Sequence, residues 1–112
     1  MSDPVDLQAL VRAINQALIL AVLRNGPKHG YQIAVEAEAS SEGMFAFQHG
    51  TLYPILHRLE KERLISGRWE TVDGRRRKVY SLTARGRERL SDESAHIRSA
   101  FDMLTSVLEA GE

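Results

Sequence analysis

The 112-residue sequence contains no cysteine, which excludes disulfide bonds, thiol chemistry and any zinc or iron–sulfur site built on cysteine ligands. It also lacks a long apolar run. The longest, from Ala17 to Leu23, spans seven residues, whereas a membrane-spanning helix needs about 20. The first residues, MSDPVDLQ, are acidic and polar and do not form a secretory signal. We therefore expect a cytoplasmic protein with no part in the membrane.

Motifs of catalysis are missing as well. The sequence has no nucleophile elbow, no HExxH zinc motif, no phosphate-binding P-loop and no dinucleotide-binding glycine pattern. The histidines, at positions 29, 49, 57 and 96, lack the close helical spacing at which two histidines share a metal ion. We expect no enzymatic activity, no metal site and no cofactor.

Net charge is also absent, with 15 basic and 15 acidic side chains, but the charge is unevenly distributed. Residues 57–90 carry eleven basic and five acidic groups, a net charge of +6, between flanks of net −2 and −4. Such asymmetry is typical of a segment that has an anionic partner. The alternative is an ordinary solvated surface, and charge alone does not separate the two.

Apolar spacing predicts three helices in the first 62 residues. The first has Asp6 as its N-cap and ends at Gly26–Pro27, with apolar positions 7, 10, 11, 14, 18, 21 and 22. A second helix is expected over about residues 30–39. A third is expected from residue 48 or 50 to residue 62, with an apolar stripe at positions 52, 55, 56 and 59. The first helix is apolar on all sides near its end, which favours contact with a second subunit.

The pattern then changes to strand and back to helix. Residues 64–71 and 78–82 alternate as two strands around the turn pair Asp73–Gly74, with the basic run Arg75–Lys78 at the tip. Trp69 has two interpretations: a core anchor of this ribbon, the more common role, or a platform for a ligand. Thr83 is expected to cap the last helix, whose apolar heptad positions indicate a partner helix. The residues expected to form the dimer contact are Leu18, Val22, Leu90, Ile97, Phe101, Leu104 and Leu108.

The third helix carries polar side chains opposite its apolar stripe. In helix-turn-helix proteins, side chains at the start of such a helix contact base edges in the major groove, and its free amide groups attract a phosphate. An arginine-rich ribbon follows the backbone or enters a narrow minor groove. The residues expected from these arguments to contact DNA are Gln48, His49, Thr51, Tyr53, His57, Arg58, Arg75, Arg76, Arg77 and Lys78.

Structural roles compete with DNA contact at several of these positions. Tyr53 can cover the edge of the core, Arg58 can pair with Glu62 or Glu60, and the run Arg75–Lys78 can be a solvated turn. Without a DNA role, the same helices and ribbon would form a protein-interaction module. Retention on heparin and salt-dependent binding to promoter DNA distinguish the two functions.

Three blocks of the sequence closely resemble the PadR family of bacterial transcriptional regulators, in the family's order and at its spacing. They are GPKHGYQI at residues 26–33, GTLYPILHRLE at residues 50–60 and GRRRKVYSLT at residues 74–83. The resemblance implies a fold that is mainly α with a small β-hairpin. It also implies a winged helix-turn-helix over residues 1–82 and a C-terminal dimerisation helix over residues 83–112, together forming one compact unit.

The resemblance also implies a function, usually that of a homodimeric repressor that binds a near-palindromic double-stranded operator. It adds His29 and Tyr31, at the start of the second helix, as phosphate contacts. Family members respond to phenolic acids, drugs and other small apolar molecules. A small-molecule effector is therefore a further expected partner, to which the sequence assigns no residue. The resemblance places Thr51, Tyr53 and His57 on the recognition helix and Arg75–Lys78 on the wing.

Overall fold

A computed structural model describes residues 6–111, and within them helices predominate over a small antiparallel sheet. The mainly α fold with a β-hairpin, predicted from the sequence, is confirmed. The helices are α1 (Leu7–Leu23), α2 (Gly30–Ser40), α3 (His49–Lys61) and α4 (Ala84–Glu109). The strands are β1 (Lys28–His29), β2 (Ile65–Val72) and β3 (Arg75–Leu82).

The caps that begin α1 and α4 are those predicted from the sequence. A carboxylate oxygen of Asp6 accepts a hydrogen bond from the amide of Gln8 at 3.0 Å. The hydroxyl of Thr83 accepts one from the amide of Gly86 at 3.0 Å, and it lies 2.7 Å from the carbonyl oxygen of Arg63, to which it donates. Each cap satisfies an amide that the first turn of a helix leaves without a partner.

The hairpin of β2 and β3 pairs along its whole length, from Ile65 opposite Leu82 to Val72 opposite Arg75. Asp73 and Gly74 form the turn, with φ values of 52° and 75°. Two consecutive positive φ values are the signature of a type I′ turn, which aspartate followed by glycine accommodates at little cost. The predicted turn pair is therefore confirmed.

The basic run Arg75–Lys78 lies within β3, so the predicted strand, residues 78–82, began three residues too late, and only the start of the run lies beside the turn. The turn uses only Asp73 and Gly74, and the strand begins directly after them. Because successive side chains of a strand point to opposite faces, Arg75 and Arg77 share one face of the hairpin, and Arg76 and Lys78 share the other.

β1 is the element that the sequence did not predict. It pairs antiparallel with β3, with Lys28 opposite Tyr80 and His29 opposite Val79, and completes a sheet with the strand order β1-β3-β2. A strand of two residues has no periodicity to detect. Its effect is to hold the start of α2 against the root of the hairpin.

The core lies where α1, α2, α3 and the root of the hairpin meet. Leu52, Leu56 and Leu59 of α3 are buried, as the apolar stripe predicted, and Ile55 is partly buried. Each fully buried leucine contributes about 1.5–3 kcal/mol relative to an exposed one. The largest fully buried side chains are Ile19, Leu20, Leu23, Ile33, Leu52, Leu56, Leu59, Leu64 and Ile65.

α4 has two halves with different surroundings. Leu90, in the first half, is buried in the core, and Ile97 is partly buried. Every side chain from Phe101 onward in the described chain is exposed. At 1.5 Å per residue the 26-residue helix is about 39 Å long. It extends well past the core, which gives the molecule its extents of 62 × 27 × 23 Å.

Candidate nucleic-acid interface

A groove of about 560 Å³, here called the basic groove, opens between the start of α2, α3 and the hairpin. It collects residues from three segments that are far apart in the sequence. Six of its lining residues are among those predicted to contact DNA: His29, Tyr31, Tyr53, Arg76, Arg77 and Lys78. The remaining lining residues are Gly30, Trp69 and Tyr80.

The start of α2 forms one wall of the basic groove. His29 occupies the N-cap position, and its Nδ1 accepts a hydrogen bond from the amide of Gln32 at 3.4 Å. Its ring stacks on the exposed ring of Tyr31, with centroids 6.5 Å apart and planes 13° apart. Gly30 leaves room for α3, because a Cβ there would lie 2.9 Å from the hydroxyl oxygen of Tyr53. Glycine at this position lets the Tyr53 ring close against α2.

α3 presents its polar side chains to solvent. Gln48, at the N-cap position, Thr51 and His57 are exposed but do not line the basic groove. Tyr53 is 43% exposed. Its ring packs against Gly30 at the start of α2 and also lines the basic groove. The side chain of His49 lies outside the described part of the structure.

Trp69 forms the hairpin wall of the basic groove. It is 59% exposed, so the more common role of a ribbon tryptophan, that of a core anchor, is wrong for this chain. The guanidinium carbon of Arg76 lies 5.0 Å from the centroid of its ring, and Nζ of Lys78 lies 5.9 Å from it. An exposed cation–π contact contributes about 0.5–1 kcal/mol. Trp69 therefore holds two basic side chains beside the groove.

Lys78 is bound more closely to the protein than its neighbours in β3. Its Nζ donates to Oε1 of Glu60, on α3, at 2.7 Å, and lies 5.6 Å from the centroid of the Tyr80 ring. The hydrogen bond to Glu60 raises the pKa of Lys78 above its usual value. Burial raises the pKa of Tyr80 above its usual value. The sequence suggests Glu60 only as a partner for Arg58, and its contact with Lys78 depends on the approach of β3 to α3.

Arg58 does not line the basic groove. Its Nη2 donates to Oε1 of Gln16, on α1, at 3.4 Å, and its Nε lies 4.0 Å from a carboxylate oxygen of Glu62. The pairing with Glu62 is the alternative that the helical spacing predicted. Gln16 is itself buried and donates to Glu93, on α4. Arg58 is thus part of a polar junction between three helices, which we define as Gln16, Arg58, Glu62 and Glu93.

A second surface has the opposite chemistry. An apolar groove of about 420 Å³ runs between α1 and α4, and its lining includes Leu18, Leu90, Ile97 and Phe101. Of the residues predicted to form the dimer contact, Val22 and Leu90 are buried in the chain's own core. Leu18 and Ile97 are partly buried. Phe101, Leu104 and Leu108 are exposed, by 46%, 51% and 71% respectively; we call these three residues the apolar seam.

Two kinds of site are not found among residues 6–111. These residues contain no group of three or more histidine, aspartate or glutamate side chains placed to hold a metal ion. None of the helices in that range has the length and apolar character needed to cross a bilayer.

Comparison with known proteins assigns the family. Residues 19–92 match the model of the transcriptional regulator PadR-like family. The chain is 38% identical over 85 residues to a transcriptional regulator of Mycobacterium tuberculosis. The matched region covers 76% of this chain and 63% of that protein. It is 28% identical to a PadR family transcription regulator of Clostridium difficile of known structure, with a TM-score of 0.72 over 83% of this chain and 96% of that one.

A transcriptional regulator of Clostridium thermocellum, 21% identical, has the same fold, with a TM-score of 0.80 over 88% of this chain and 96% of that chain. The fold is the winged helix of these regulators, and the hairpin of β2 and β3 is its wing. Regulators of this family are not enzymes, as the missing catalytic motifs predicted. The chain belongs to the PadR-like family of transcriptional regulators.

Proposed function

We propose that this chain is a sequence-specific repressor that binds double-stranded operator DNA as a homodimer. The observation that carries the proposal is the basic groove, where α2, α3 and the wing bring aromatic and basic side chains to one surface. Residues 57–90, which carry the net charge of +6, supply the end of α3, the whole wing and the start of α4. That placement directs the positive charge of a neutral chain toward an anionic partner.

In the proposed complex, α3 enters the major groove and reads base edges. Thr51 and Tyr53 lie near its start and are exposed, as the reading side chains of a recognition helix must be. Gln48, His49 and His57 would supply further polar contacts from the same helix. The amides of the first turn of α3 favour a phosphate at that end.

The wing and the start of α2 would hold the DNA backbone. Arg75, Arg76 and Arg77 are exposed, and guanidinium groups bind phosphates well or enter a narrow minor groove. His29 and Tyr31, stacked at the start of α2, would contact a phosphate from the other wall of the basic groove. Arg58, which is engaged by Gln16 and Glu62, is left out of this proposed set.

The apolar seam supports the homodimer. Phe101, Leu104 and Leu108 repeat at heptad spacing on a helix that leaves the core, and burying them requires a second helix. Leu7 and Val11 of α1 are also exposed.

On this proposal the chain divides into a DNA-binding part, residues 1–82, and a dimerising helix, residues 83–112. The dimer would set the two copies of α3 about 34–36 Å apart, one turn of DNA.

An effector would act through the same helices. The groove between α1 and α4 is apolar, and a small apolar or aromatic molecule bound there would change the angle between the two copies. Couplings of this kind change DNA affinity by about 1–3 kcal/mol. A screen of aromatic compounds tests this part: one or more should shift operator affinity, and a screen in which none does would contradict it.

Footprinting on the promoters of the chain's own gene and of the neighbouring operon tests the main proposal. We expect a protected near-palindromic site with half-sites about 10–10.5 base pairs apart. If eight phosphates are neutralised per dimer, the logarithm of the binding constant falls with the logarithm of salt at a slope of about −7. A slope near zero, or no binding to any sequence in a random pool, would instead support a protein-interaction module.

A further inference from the structure

We propose that Glu60 and Lys78 are positioning residues whose ion pair fixes the wing against the recognition helix, and so sets the geometry in which both meet DNA. This inference rests on the proposed function. It assigns Lys78, which the sequence predicted as a DNA contact, to a role inside the protein.

The pair joins two elements that would both contact DNA. Glu60 lies in the last turn of α3 and Lys78 in the middle of β3, and their charged atoms are 2.7 Å apart. Both side chains are less than a third exposed, at 29% and 28%. In the part of the chain that the structure describes, no other ion pair connects α3 to the wing. The orientation of the wing therefore depends on this contact more than on any other charged one.

Gly67, in β2, provides the space that the pair occupies. A Cβ at this position would overlap Cε of Lys78 and lie 2.8 Å from Oε2 of Glu60. Gly67 is not among the residues with positive φ, so backbone conformation does not require glycine here. Glycine inside a strand weakens the strand and often marks a close approach by another group. Here the approaching group is the Glu60–Lys78 pair, which lies across the strand.

The ammonium group of Lys78 makes its contacts within the protein. It donates to Glu60 and lies within 6 Å of the ring centroids of both Trp69 and Tyr80. Lysine is charged at neutral pH without any shift, and the hydrogen bond to Glu60 raises the pKa of Lys78 further. A paired lysine and glutamate together carry no net charge. Removing the pair should therefore change the fit of the protein to DNA without changing the number of phosphates neutralised.

The variant Glu60→Gln separates the two roles of Lys78. If Lys78 binds a phosphate, removing the nearby negative charge strengthens DNA binding. If the pair positions the wing, Glu60→Gln weakens operator binding by about tenfold, on the scale of couplings within a protein. The double variant Glu60→Gln/Lys78→Met removes the pair without changing the net charge, and should leave the salt slope unchanged. The measurement is operator affinity of the full-length protein across salt concentrations. The matched control is Glu62→Gln, at the C-cap of α3, which should retain operator affinity.

Two further variants complete the test. Lys78→Met should cost about as much as Glu60→Gln, and the double variant should cost no more than either, because each change already removes the pair. The charge-swapped variant Glu60→Lys/Lys78→Glu should recover most of the operator affinity. A gain in affinity from Glu60→Gln, additive losses in the double variant, or a swapped protein that binds no better than Lys78→Glu alone would overturn the proposal.

A readout without DNA distinguishes failure of this inference from failure of the proposed function. Trp69 is the only tryptophan, and Lys78 lies beside its ring, so its fluorescence reports on the wing. Glu60→Gln should shift that emission and speed amide exchange in β2 and β3, with the circular dichroism of the helices retained. Unchanged emission and exchange would overturn the positioning role, even in a protein that binds its operator. Changed values in a protein that binds no DNA would support the positioning role and contradict only the proposed function.

Discussion

The exposed side chains of the basic groove contact one another, whereas those of the apolar seam are exposed on a helix that extends beyond the core. In the groove, Trp69 is exposed but carries Arg76 over its ring, so both side chains are held by the chain itself. In the seam, Phe101, Leu104 and Leu108 are exposed on a helix that has left the core. The chain thus holds the exposed side chains of its groove against one another, but leaves those of its seam exposed on α4.

The difference follows from the cost of leaving each kind of group in water. Guanidinium and ammonium groups are well hydrated, so they remain exposed at no penalty until an anion replaces the water. Apolar side chains gain about 25 cal/mol for each Å² removed from water, so a contiguous exposed set favours association. The two surfaces are therefore expected to respond to different substitutions, and four predictions rank those responses from the largest to the smallest.

The largest effect is expected at the seam. In the proposed dimer, Leu104→Glu would place a charge in both copies at the centre of the contact, and each copy would lose about 1.5–3 kcal/mol of leucine burial. The dimer dissociation constant should therefore rise about a hundredfold or more. Sedimentation velocity over a range of concentrations measures it. Met103→Glu, at a neighbouring exposed position outside the seam, is the control and should leave the dimer intact. Equal effects of the two variants would contradict the seam as the contact.

The next effect is expected in the basic groove. Arg77→Ala should weaken binding to all DNA sequences alike, and should reduce the salt slope by about 0.9 per copy, because one phosphate contact is lost from each. Salt titrations with operator and with random DNA measure it. Arg98→Ala, an exposed arginine of α4, is the control and should change neither value. Loss of operator binding alone, with random DNA unaffected, would show that Arg77 reads bases.

A smaller effect is expected at Thr51, which lies near the start of α3 and outside the basic groove. Thr51→Ala removes an exposed hydroxyl, so the fold should be unchanged. Preference for one base pair in each half-site should decrease by about 1–3 kcal/mol, while binding to random DNA stays the same. Selection of operators from a random pool by the variant measures this preference. An unchanged selected sequence would remove Thr51 from the reading residues.

The smallest effect is expected at the polar junction that connects the two regions. Burial raises the pKa of Glu93 above its usual value, and the negative charge of Glu62 also raises it. The positive charges of Arg89 and Arg58 lower this pKa, but by less than burial raises it. The folded state then binds the proton more tightly than the unfolded state, so this carboxyl lowers stability as pH rises from the ordinary carboxyl range through its raised pKa. Above that pKa the cost is complete.

Glu93→Gln removes this titration and keeps an oxygen that accepts from Gln16. The free energy of unfolding of the variant, relative to the wild type, should rise across the same pH window and then level off. The gain should be about 0.5 kcal/mol, because the group is partly exposed. Urea unfolding at several pH values between 4 and 8 measures it. A difference independent of pH would show that Glu93 does not titrate abnormally.

Local patterns predicted those parts of the fold that depend on neighbours in the sequence. The caps Asp6 and Thr83 and the turn pair Asp73–Gly74 act within a few residues, and each is found where it was predicted. The face of a strand that becomes buried is not a local property. Once the turn is known, Trp69 must lie opposite Lys78, but only the packing of the hairpin decides that Trp69 stays exposed while Tyr80, on the same face, is buried.

The same distinction applies to the candidate site. The residue types that line the basic groove, and the charge of the segment that supplies the wing, are properties of the sequence alone. The Glu60–Lys78 pair and the role of Gly67 beneath it depend on β3 and α3 coming together. For Arg58 the sequence predicted two alternative roles, contact with DNA or pairing with a glutamate of α3. The packing of α1 against α3 brings Arg58 to Gln16 instead.

By itself the sequence determined the helices, the hairpin, the segregation of positive charge and the heptad repeat of α4, because helix and strand periodicity and turn chemistry act over a few residues. Tertiary structure decided which exposed side chains share a groove and which of the heptad leucines stay in water. Those outcomes depend on the distances between segments up to about fifty residues apart in the chain, and only burial of the common core sets such distances.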